Sequence, residues 1–448
     1  MDNLFVKLLK IPETRERIFR TLVLLVVYRL GFQIPIPGTD PAFLASTSDQ
    51  GIFGMISALS GGAIGQTTIF ALGIMPFISA SIIFSMLTKV SPALEAVAKE
   101  GAAGQKRINQ WTRLTTVPIA IVQAVLVFTG VFWARRDAMV ESSMRDNPVA
   151  LFFIVVTALV AGSLVVMWIG ELITEYGVGN GASLIIMAGI IAVMPSSFAQ
   201  ITDSPDFWQI LMFLSGVWMI TIFMVVFMHK GARRVPIQYA RLTRGRRVYG
   251  GQRHYLPLKV NMAGVMPIIF ASVLFVVPGI LFEWLGWDRL QGMFQDQTGF
   301  VYVTIYLALI FSFCFFWNRL MFQPEEIANN LREHGSFIPG IRPGVKTAEY
   351  LSNVLNRVTL VGAAFLAVVA VLPAFITQDS GMTQQMQYFV TGSSVLIVVG
   401  VALELVDKLN AQLVMKAYDG APSDGKAGSR WTQKSGGSDS STRNEGAK

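Results

Sequence analysis

The stretch that decides the fold runs from Leu151 to Val166 and reads LFFIVVTALVAGSLVV, sixteen residues without a charge. A helix of about 20 residues crosses the hydrocarbon core of a bilayer, and in lipid only helices and closed barrels satisfy their backbone hydrogen bonds. The stretch lacks the polar–apolar alternation of a barrel strand, which favours a helix. Three further apolar runs indicate the same: Thr21–Val27, Phe213–Phe227 and Val301–Phe316.

The composition of the whole chain agrees with membrane helices. Of its 448 residues, 53% are hydrophobic and only 14% are charged, whereas soluble domains are about a quarter charged. Mean hydropathy is +0.53. We therefore predict an all-α polytopic membrane protein with ten transmembrane helices. The predicted spans are residues 18–35, 68–89, 113–134, 149–170, 181–199, 207–228, 258–282, 301–321, 358–376 and 388–408.

Lysine and arginine in the loops predict the orientation of these spans. Residues 37–67, 195–208 and 376–388 contain neither residue, whereas Lys230–Lys259 contains nine and no Asp or Glu. Both termini are therefore predicted to be cytoplasmic. The predicted parts are an N-terminal segment 1–17, a first half 18–200, a second half 201–411 with cytoplasmic loops at 230–257 and 323–357, and a Gly- and Ser-rich disordered tail 412–448.

The sequence carries no motif of an enzyme or of a metal site. The Gly-rich run Gly61–Thr68 lacks the lysine of a P-loop, and the only cysteine is Cys314. The ionisable side chains lie near span ends, whereas ion-coupled transporters keep such groups near the midplane. We expect no enzyme, no cofactor and a passive conduit. A small-solute secondary transporter that binds at Asn180 and its neighbouring glycines stays an alternative, as does a membrane scaffold.

The basic loop at 230–257 intersperses its charges with Val, Ile, Tyr and Pro, a pattern that predicts an ordered, protruding hairpin. One interpretation is a topology determinant beside anionic lipid. The other is a docking surface for an acidic partner or RNA. The residues alone leave both open.

Six segments, in chain order, resemble the SecY family of protein-conducting channels, which includes Sec61-alpha. They are Arg29–Gly38 (RLGFQIPIPG), Ser60–Ala63 (SGGA), Ile69–Ile83 (IFALGIMPFISASII), Gly177–Gly181 (GVGNG), Leu256–Pro267 (LPLKVNMAGVMP) and Phe337–Gly344 (FIPGIRPG). The resemblance covers roughly residues 15–410. It implies two inverted pseudo-symmetric halves around an hourglass pore in the bacterial inner membrane. It also implies that unfolded secretory proteins cross through the pore and that hydrophobic segments leave through a lateral gate.

The resemblance also implies site residues. A constriction ring would consist of Ile74, Ile78, Ala182, Ile186, Ile269 and Ile397, with Ala182 smaller than the bulky residue usual in the family. A plug at about 52–64 would include Ile52, Phe53, Met55, Ile56, Leu59 and Ile64. The lateral gate would lie between the helices that contain Ile74–Leu87 and Val260–Phe275, each with its neighbour.

The implied partners complete this prediction. Arg246 and Arg247 in the basic loop, and Arg342 in the turn GIRPG, match family positions that engage the SecA ATPase or the ribosome. The family also implies SecE and SecG subunits. Signal sequences and unfolded polypeptides would be the passengers.

Overall fold

The computed structural model describes residues 12–39, 68–133, 147–202, 207–239, 242–244, 247–249, 253–261, 264–295, 298–377 and 392–419. The predicted plug at 52–64, Arg246 and residues 420–448 lie outside these ranges. The described residues are mainly helical, as the long apolar runs predict.

Thirteen α-helices lie in the described residues. They are α1 Pro12–Gly31, α2 Met75–Val90, α3 Pro92–Lys99, α4 Ala102–Val127, α5 Pro148–Tyr176, α6 Gly181–Thr202, α7 Phe207–Lys230, α8 Met266–Trp284, α9 Asp288–Gln295, α10 Phe300–Met321, α11 Pro324–Glu333, α12 Val345–Thr377 and α13 Gly392–Asp419. A short π-helix, Phe128–Trp133, continues α4.

Each of the ten predicted spans overlaps one of these helices, which are α1, α2, α4, α5, α6, α7, α8, α10, α12 and α13. By length and hydropathy, the helices that begin at Pro148, Phe207, Phe300 and Val345 are the ones in the described residues that could cross a membrane. A fifth is added if α2 and α3, bent by 98° at Ser91, count as one span.

Two helices extend beyond the residues predicted for their spans. Helix α12 begins at Val345, thirteen residues before the predicted span, because Leu351 and Leu355 bury their side chains in a small second core. Helix α13 continues to Asp419, eleven residues past the predicted span 388–408 and into the residues predicted for the tail. Leu413 packs against the buried pair Val178 and Leu409, which explains why the helix extends past residue 412.

The helices pack in two groups of five that follow the order of the chain. In the first group, α5 contacts α1, α2, α4 and α6, and in the second, α12 contacts α7, α10 and α13 while α8 contacts α10. The groups meet where α6 contacts α7 and α13. One large apolar cluster contains buried side chains from both groups. The inverted relation between the halves stays a prediction.

The basic loop forms the predicted hairpin. Strand β1, Ala232–Tyr239, pairs antiparallel with β4, Arg253–Lys259, while β2, Leu242–Arg244, pairs with β3, Arg247–Tyr249. The sequence did not predict β5, Ser336–Phe337, which adds to the other edge of β1 and gives the order β4-β1-β5. The two predicted cytoplasmic loops therefore share one sheet.

A separate small core holds this sheet on the helices. It consists of Val235, Leu258, Phe322, Ile338, Leu351 and Leu355, all buried. These residues come from β1, β4, the end of α10, the turn after β5 and the first turns of α12. We call this the sheet core.

Candidate functional site

The six residues predicted for the constriction ring belong to, or pack against, one large apolar cluster. Ile74, Ile78, Ile186, Ile269 and Ile397 are all buried in the large apolar cluster, and Ala182 is partly buried and packs against it. They lie on or beside four helices, α2, α6, α8 and α13, which belong to both groups. Residues more than 300 positions apart in the chain therefore share this cluster, which we call the apolar site. Their role as a ring stays a prediction.

The glycine-rich turn Gly177–Gly181 positions the start of α6 and so Ala182 and Ile186. The side-chain Oδ1 of Asn180 accepts a hydrogen bond from the Ala182 N–H at 3.1 Å, as an N-cap residue does. The Thr174 hydroxyl accepts one from the Gly181 N–H at 2.9 Å and donates to the Gly170 carbonyl. The Asn180 amide oxygen is thus used to begin a helix, which favours a structural role over solute binding.

The segment before α2 is held by contacts with α1 and with the residues that directly follow α1. The Ile69 N–H donates to the Ile34 carbonyl at 3.1 Å, and the Phe70 ring packs against Tyr28 and Phe32. A Cβ on Gly31 would lie 1.9 Å from the Phe70 ring, so only glycine permits this approach. These contacts place Ile74 at the start of α2.

The start of α8 is fixed in a similar way. The Asn261 side-chain Nδ2 donates to the Gly264 carbonyl at 2.7 Å, and Gly264 has a φ of 63°. On α13, a Cβ on Gly400 would lie 2.4 Å from Cγ1 of Val265. The absence of a side chain at Gly400 therefore lets Val265, directly before α8, approach α13, the helix that contains Ile397.

A cavity of about 500 Å³ is lined by residues of the apolar site and, at the end of β4, by Lys259. Ser183, Val265 and Leu396 line it, and they are chain neighbours of, or one turn from, predicted ring residues. The rest of its lining is mainly apolar and includes Met228, Met266, Met321, Trp317 and Phe365. Thioether side chains adapt their shape to different partners. The cavity can therefore accommodate apolar side chains of varied size.

The rim of the cavity carries charges of both signs. Oδ2 of Asp407 lies 3.7 Å from Nε2 of His229 and 3.9 Å from Nζ of Lys259, and Lys408 pairs with Glu404 at 3.0 Å. This group joins α7, β4 and α13, and it was not predicted. Within the part of the chain that the structure describes, no group of three or more His, Cys, Asp or Glu could hold a metal ion.

Arg342 lies exposed on a turn that is anchored at both ends. Ile338 is buried in the sheet core, and the Thr347 hydroxyl, itself buried, donates to the Arg342 carbonyl at 2.9 Å. Gly340 and Gly344 have φ angles of 83° and 101°, which explains the glycines of GIRPG. The guanidinium is therefore presented to solvent from a rigid backbone.

The other predicted partner residues lie on or near the same sheet. The backbone of Arg247 pairs with Arg244 in the β2–β3 hairpin, while its side chain and all of Arg246 fall outside the description. Because β5 pairs with β1, the Arg342 turn and the basic hairpin belong to one surface. The Arg342 turn and the basic hairpin were predicted to lie in two separate loops, and the pairing of β5 with β1 that joins them was not predicted.

The comparison with known families is decisive. The SecY family model matches residues 68–406, which is about three quarters of the chain. This chain belongs to the SecY family. The family predicted from the six segments is thereby confirmed, and with the long apolar helices it makes the chain a multi-pass membrane protein.

Similar proteins agree over nearly the full length. The chain is 40% identical over 442 residues to the protein translocase subunit SecY of Streptomyces scabiei, covering 94% of this chain and 99% of the relative. It is 39% identical over 423 residues to the same subunit of Escherichia coli strain K12, covering 91% and 94%. Both relatives therefore match more than nine tenths of this chain.

Solved structures show the same fold. A protein-conducting channel superposes with a TM-score of 0.63 at 19% identity, covering 91% of this chain and 95% of that one. A SecY protein studied for its plug domain, which stabilises the closed state of the channel, gives 0.59 at 18% with the same coverage. Sec61 in the canine ribosome–channel complex from the endoplasmic reticulum gives 0.60 at 18%, again with that coverage.

Proposed function

We propose that this chain is the channel subunit of a protein translocase. It moves unfolded secretory proteins across the membrane and releases hydrophobic segments into the bilayer. The observation that supports the proposal is one large apolar cluster that contains residues of both helix groups and that shares residues such as Val265 and Leu396 with the lining of a cavity. The relatives named protein translocase subunit SecY support the same activity. The work of the channel requires no covalent chemistry.

The proposed architecture has ten spans in two inverted halves around an hourglass pore. Ten predicted spans, each overlapping one helix, support it, as does the packing of the helices in two groups of five. By the positive-inside rule, the charges of the basic hairpin support a cytoplasmic position for the sheet and for both termini. The bacterial inner membrane is the proposed location.

The constriction would close by exclusion of water. A narrow apolar waist dewets and so blocks ions. Isoleucine side chains can also yield and seal around a polypeptide of changing width. The plug at 52–64 would fill the external side, in line with the relative whose plug domain stabilises the closed state.

The lateral gate would be the seam between α2 on one side and α8 with α10 on the other. Ile82 of α2 packs against the buried pair Phe270 of α8 and Trp317 of α10. An apolar signal sequence could separate these side chains and pass into lipid. The driving free energy is the transfer of apolar surface out of water, about 25 cal/mol per Å².

The proposed partners bind at the sheet. Arg246, Arg247 and Arg342 would contact the SecA ATPase or the ribosome, and the Sec61 relative is in complex with a ribosome. SecE and SecG subunits are proposed from the family, and anionic lipid would lie beside the basic hairpin. Contacts through exposed arginines weaken with salt.

The test is a cross-link from within the chain to a stalled precursor. A photo-cross-linking residue at position 78 or 269 should label a precursor arrested during translocation. The same residue at position 223, on the exposed face of α7, is the matched control and should not. Labelling at 223 but at neither 78 nor 269 would overturn the proposed path. Labelling at 78 or 269 would exclude a pure scaffold.

A further inference from the structure

Helix α9 follows α8 through a turn whose hydrogen bonds fix where it begins. Gly286 has a φ of 68°, and the Trp287 N–H donates to the Phe282 carbonyl at 2.9 Å, an arrangement that closes many helices at their C-terminus. The Leu290 N–H then donates to the Trp287 carbonyl at 3.0 Å. Since α10 begins at Phe300, α9 is held within a few residues of the ends of two predicted spans.

One edge of α9 packs on the neighbouring helices through aromatic rings. The centroid of the Phe294 ring lies 5.1 Å from that of Phe275 and 5.2 Å from that of Phe282, both in α8. The Phe275 ring in turn lies 4.5 Å from the ring of Tyr302 in α10. These contacts couple the position of α9 to the adjoining ends of α8 and α10.

The apolar face of α9 is wider than the part that these rings cover. At 100° per residue, Leu290 lies about 40° and Met293 about 100° from Phe294 around the helix. Their side chains are 37% and 40% exposed, and Trp287, directly before α9, is 52% exposed. Gly292 is exposed on the opposite side, about 160° from Leu290. The helix therefore presents uncovered apolar side chains on one side only.

The position of α9 in the chain indicates what covers these side chains. In the orientation proposed above, α8 runs from the cytoplasmic sheet to the external side of the membrane and α10 returns. Helix α9 then lies at the external boundary between membrane and water, where amphipathic helices lie in the plane of the bilayer and tryptophan is enriched. Its sequence contains one acidic and one basic residue, so no net charge draws it to anionic lipid.

We propose that α9 is an interfacial anchor, in which Leu290 and Met293 insert among the acyl chains of the outer leaflet while Gly292 faces water. This inference rests on the orientation in the proposed function. The partner is the apolar boundary of a phospholipid bilayer, whatever the charge of its headgroups. Because Phe294 packs on α8, the bilayer surface fixes the external ends of α8 and α10 through α9.

The first test places spin labels on the complete translocase in liposomes, each in a chain with Cys314→Ala. Leu290→Cys and Met293→Cys carry the label on the proposed lipid face. Gly292→Cys is the matched control on the other face, where a Cβ meets nothing within 4 Å. Phe223→Cys, on the exposed face of α7, is the reference for acyl chains. Power saturation measures collisions with oxygen, which concentrates in the bilayer, and with a water-soluble nickel complex.

We expect oxygen collisions to dominate at positions 290 and 293, as at position 223, and nickel collisions to dominate at position 292. The pattern should be the same in pure phosphatidylcholine and in bilayers with anionic phosphatidylglycerol, and salt should not change it. Nickel collisions at 290 and 293 as frequent as those at 292 would overturn the proposal. Labels at 290 and 293 that are shielded from both reagents would also overturn it, since a protein would then cover this face.

The second test measures what the lipid contact contributes, by hydrogen exchange of the α9 backbone in a chain that combines Leu290→Gln with Met293→Gln. Full burial of one such side chain shifts an equilibrium by about ten- to a hundredfold, and each of the two has about two fifths of its surface left to bury. We therefore expect α9 to exchange about ten- to fiftyfold faster than in the unmodified complex.

The control for hydrogen exchange is Gly292→Gln, on the face toward water. It should exchange no faster than the unmodified chain, because glutamine is favoured over glycine in a helix. Equal exchange in the double variant and in the unmodified complex would show that α9 is not anchored by lipid. If the double variant lowers the yield of folded complex, the collision pattern of the labels decides.

Failure of the proposed function has a separate signature. A maleimide that cannot cross membranes should react with Gly292→Cys from outside intact cells. Reaction only in broken cells would refute the proposed orientation, and an unmodified complex that translocates no strong precursor would refute the proposed function. The collision pattern reports depth in the bilayer whichever side α9 is on, so it tests the interfacial anchor independently.

Discussion

Replacement of Gly181 by alanine should force α5 and α6 apart. A Cβ at position 181 would lie 1.8 Å from the Gly170 carbonyl oxygen, 2.7 Å from its carbon and 2.9 Å from Oγ1 of Thr174. Two of these atoms are backbone of α5 and cannot rotate away. Since such distances are essentially never below 3.0 Å, the helices must separate by about 1 Å, which costs about 1–3 kcal/mol for an overpacked site.

The separation should reach the apolar site, because Ala182 follows directly and Ile186 is one turn further on. We expect Gly181→Ala to lower the thermal unfolding temperature of the detergent-solubilised complex. We also expect a larger ion leak through resting channels in liposomes, since the proposed ring would no longer close. Both quantities are measured against the unmodified chain.

The chain offers a matched control in Gly216 of α7. A Cβ at that position meets nothing within 4 Å, and alanine is favoured over glycine in a helix by about 0.5–1 kcal/mol. Gly216→Ala should therefore be neutral or slightly stabilising, with no leak. If Gly181→Ala has the same unfolding temperature and the same ion leak as Gly216→Ala, the link between the glycine turn and the ring is refuted.

Three further predictions concern side chains with one defined task each. Arg342→Glu should abolish translocation while membrane insertion and abundance stay normal, as followed by precursor accumulation and quantitative immunoblotting. Thr347→Val removes the hydroxyl that holds the Arg342 carbonyl; a bond worth about 1 kcal/mol predicts an activity loss of about fivefold in translocation assays at fixed salt. Thr21→Val removes the acceptor of the Val178 N–H at 3.1 Å, and a buried N–H left unsatisfied should lower the free energy of unfolding by about 1–3 kcal/mol.

Each of these predictions has a result that contradicts it. Normal export with Arg342→Glu removes its assigned role. A loss with Thr347→Val as complete as that of Arg342→Glu would mean that more than the turn is disturbed. For Thr21→Val the control is Thr129→Val, whose exposed hydroxyl bonds only carbonyls of its own helix; equal destabilisation by both would show that Val178 is irrelevant.

The helices could be predicted because long apolar runs in lipid have few alternatives, and each predicted span meets one helix. The first turns of α12 could not, since Leu351 and Leu355 lie among polar residues and reveal their burial only through the sheet core. Strand β5 is two residues long, and its pairing with β1 joins positions about a hundred residues apart. A local pattern does not encode such a contact.

The site was predicted less from the residues than from the resemblance. Isoleucine is common in every apolar span, and nothing in its spacing separates Ile269 from its neighbours. The six residues share an apolar cluster only in the folded chain, where helices approach closely at glycines such as Gly181 and Gly400, and a sequence does not display such contacts. The contacts on the cavity rim were not predicted because His229, Lys259 and Asp407 lie on three different elements that are far apart in the chain.

The three-stranded sheet has a consequence for how the chain is made. Strands β1 and β4 leave the ribosome early, whereas the two residues of β5 follow β4 by about 77 positions. Until then the edge of β1 at Gln238 and Tyr239 has no strand beside it, and a bare edge invites pairing with other chains. We therefore expect the nascent hairpin to be open to such pairing during synthesis, and we expect the positive charges of Arg233 and Arg234 to oppose it by repulsion until Ser336 and Phe337 arrive.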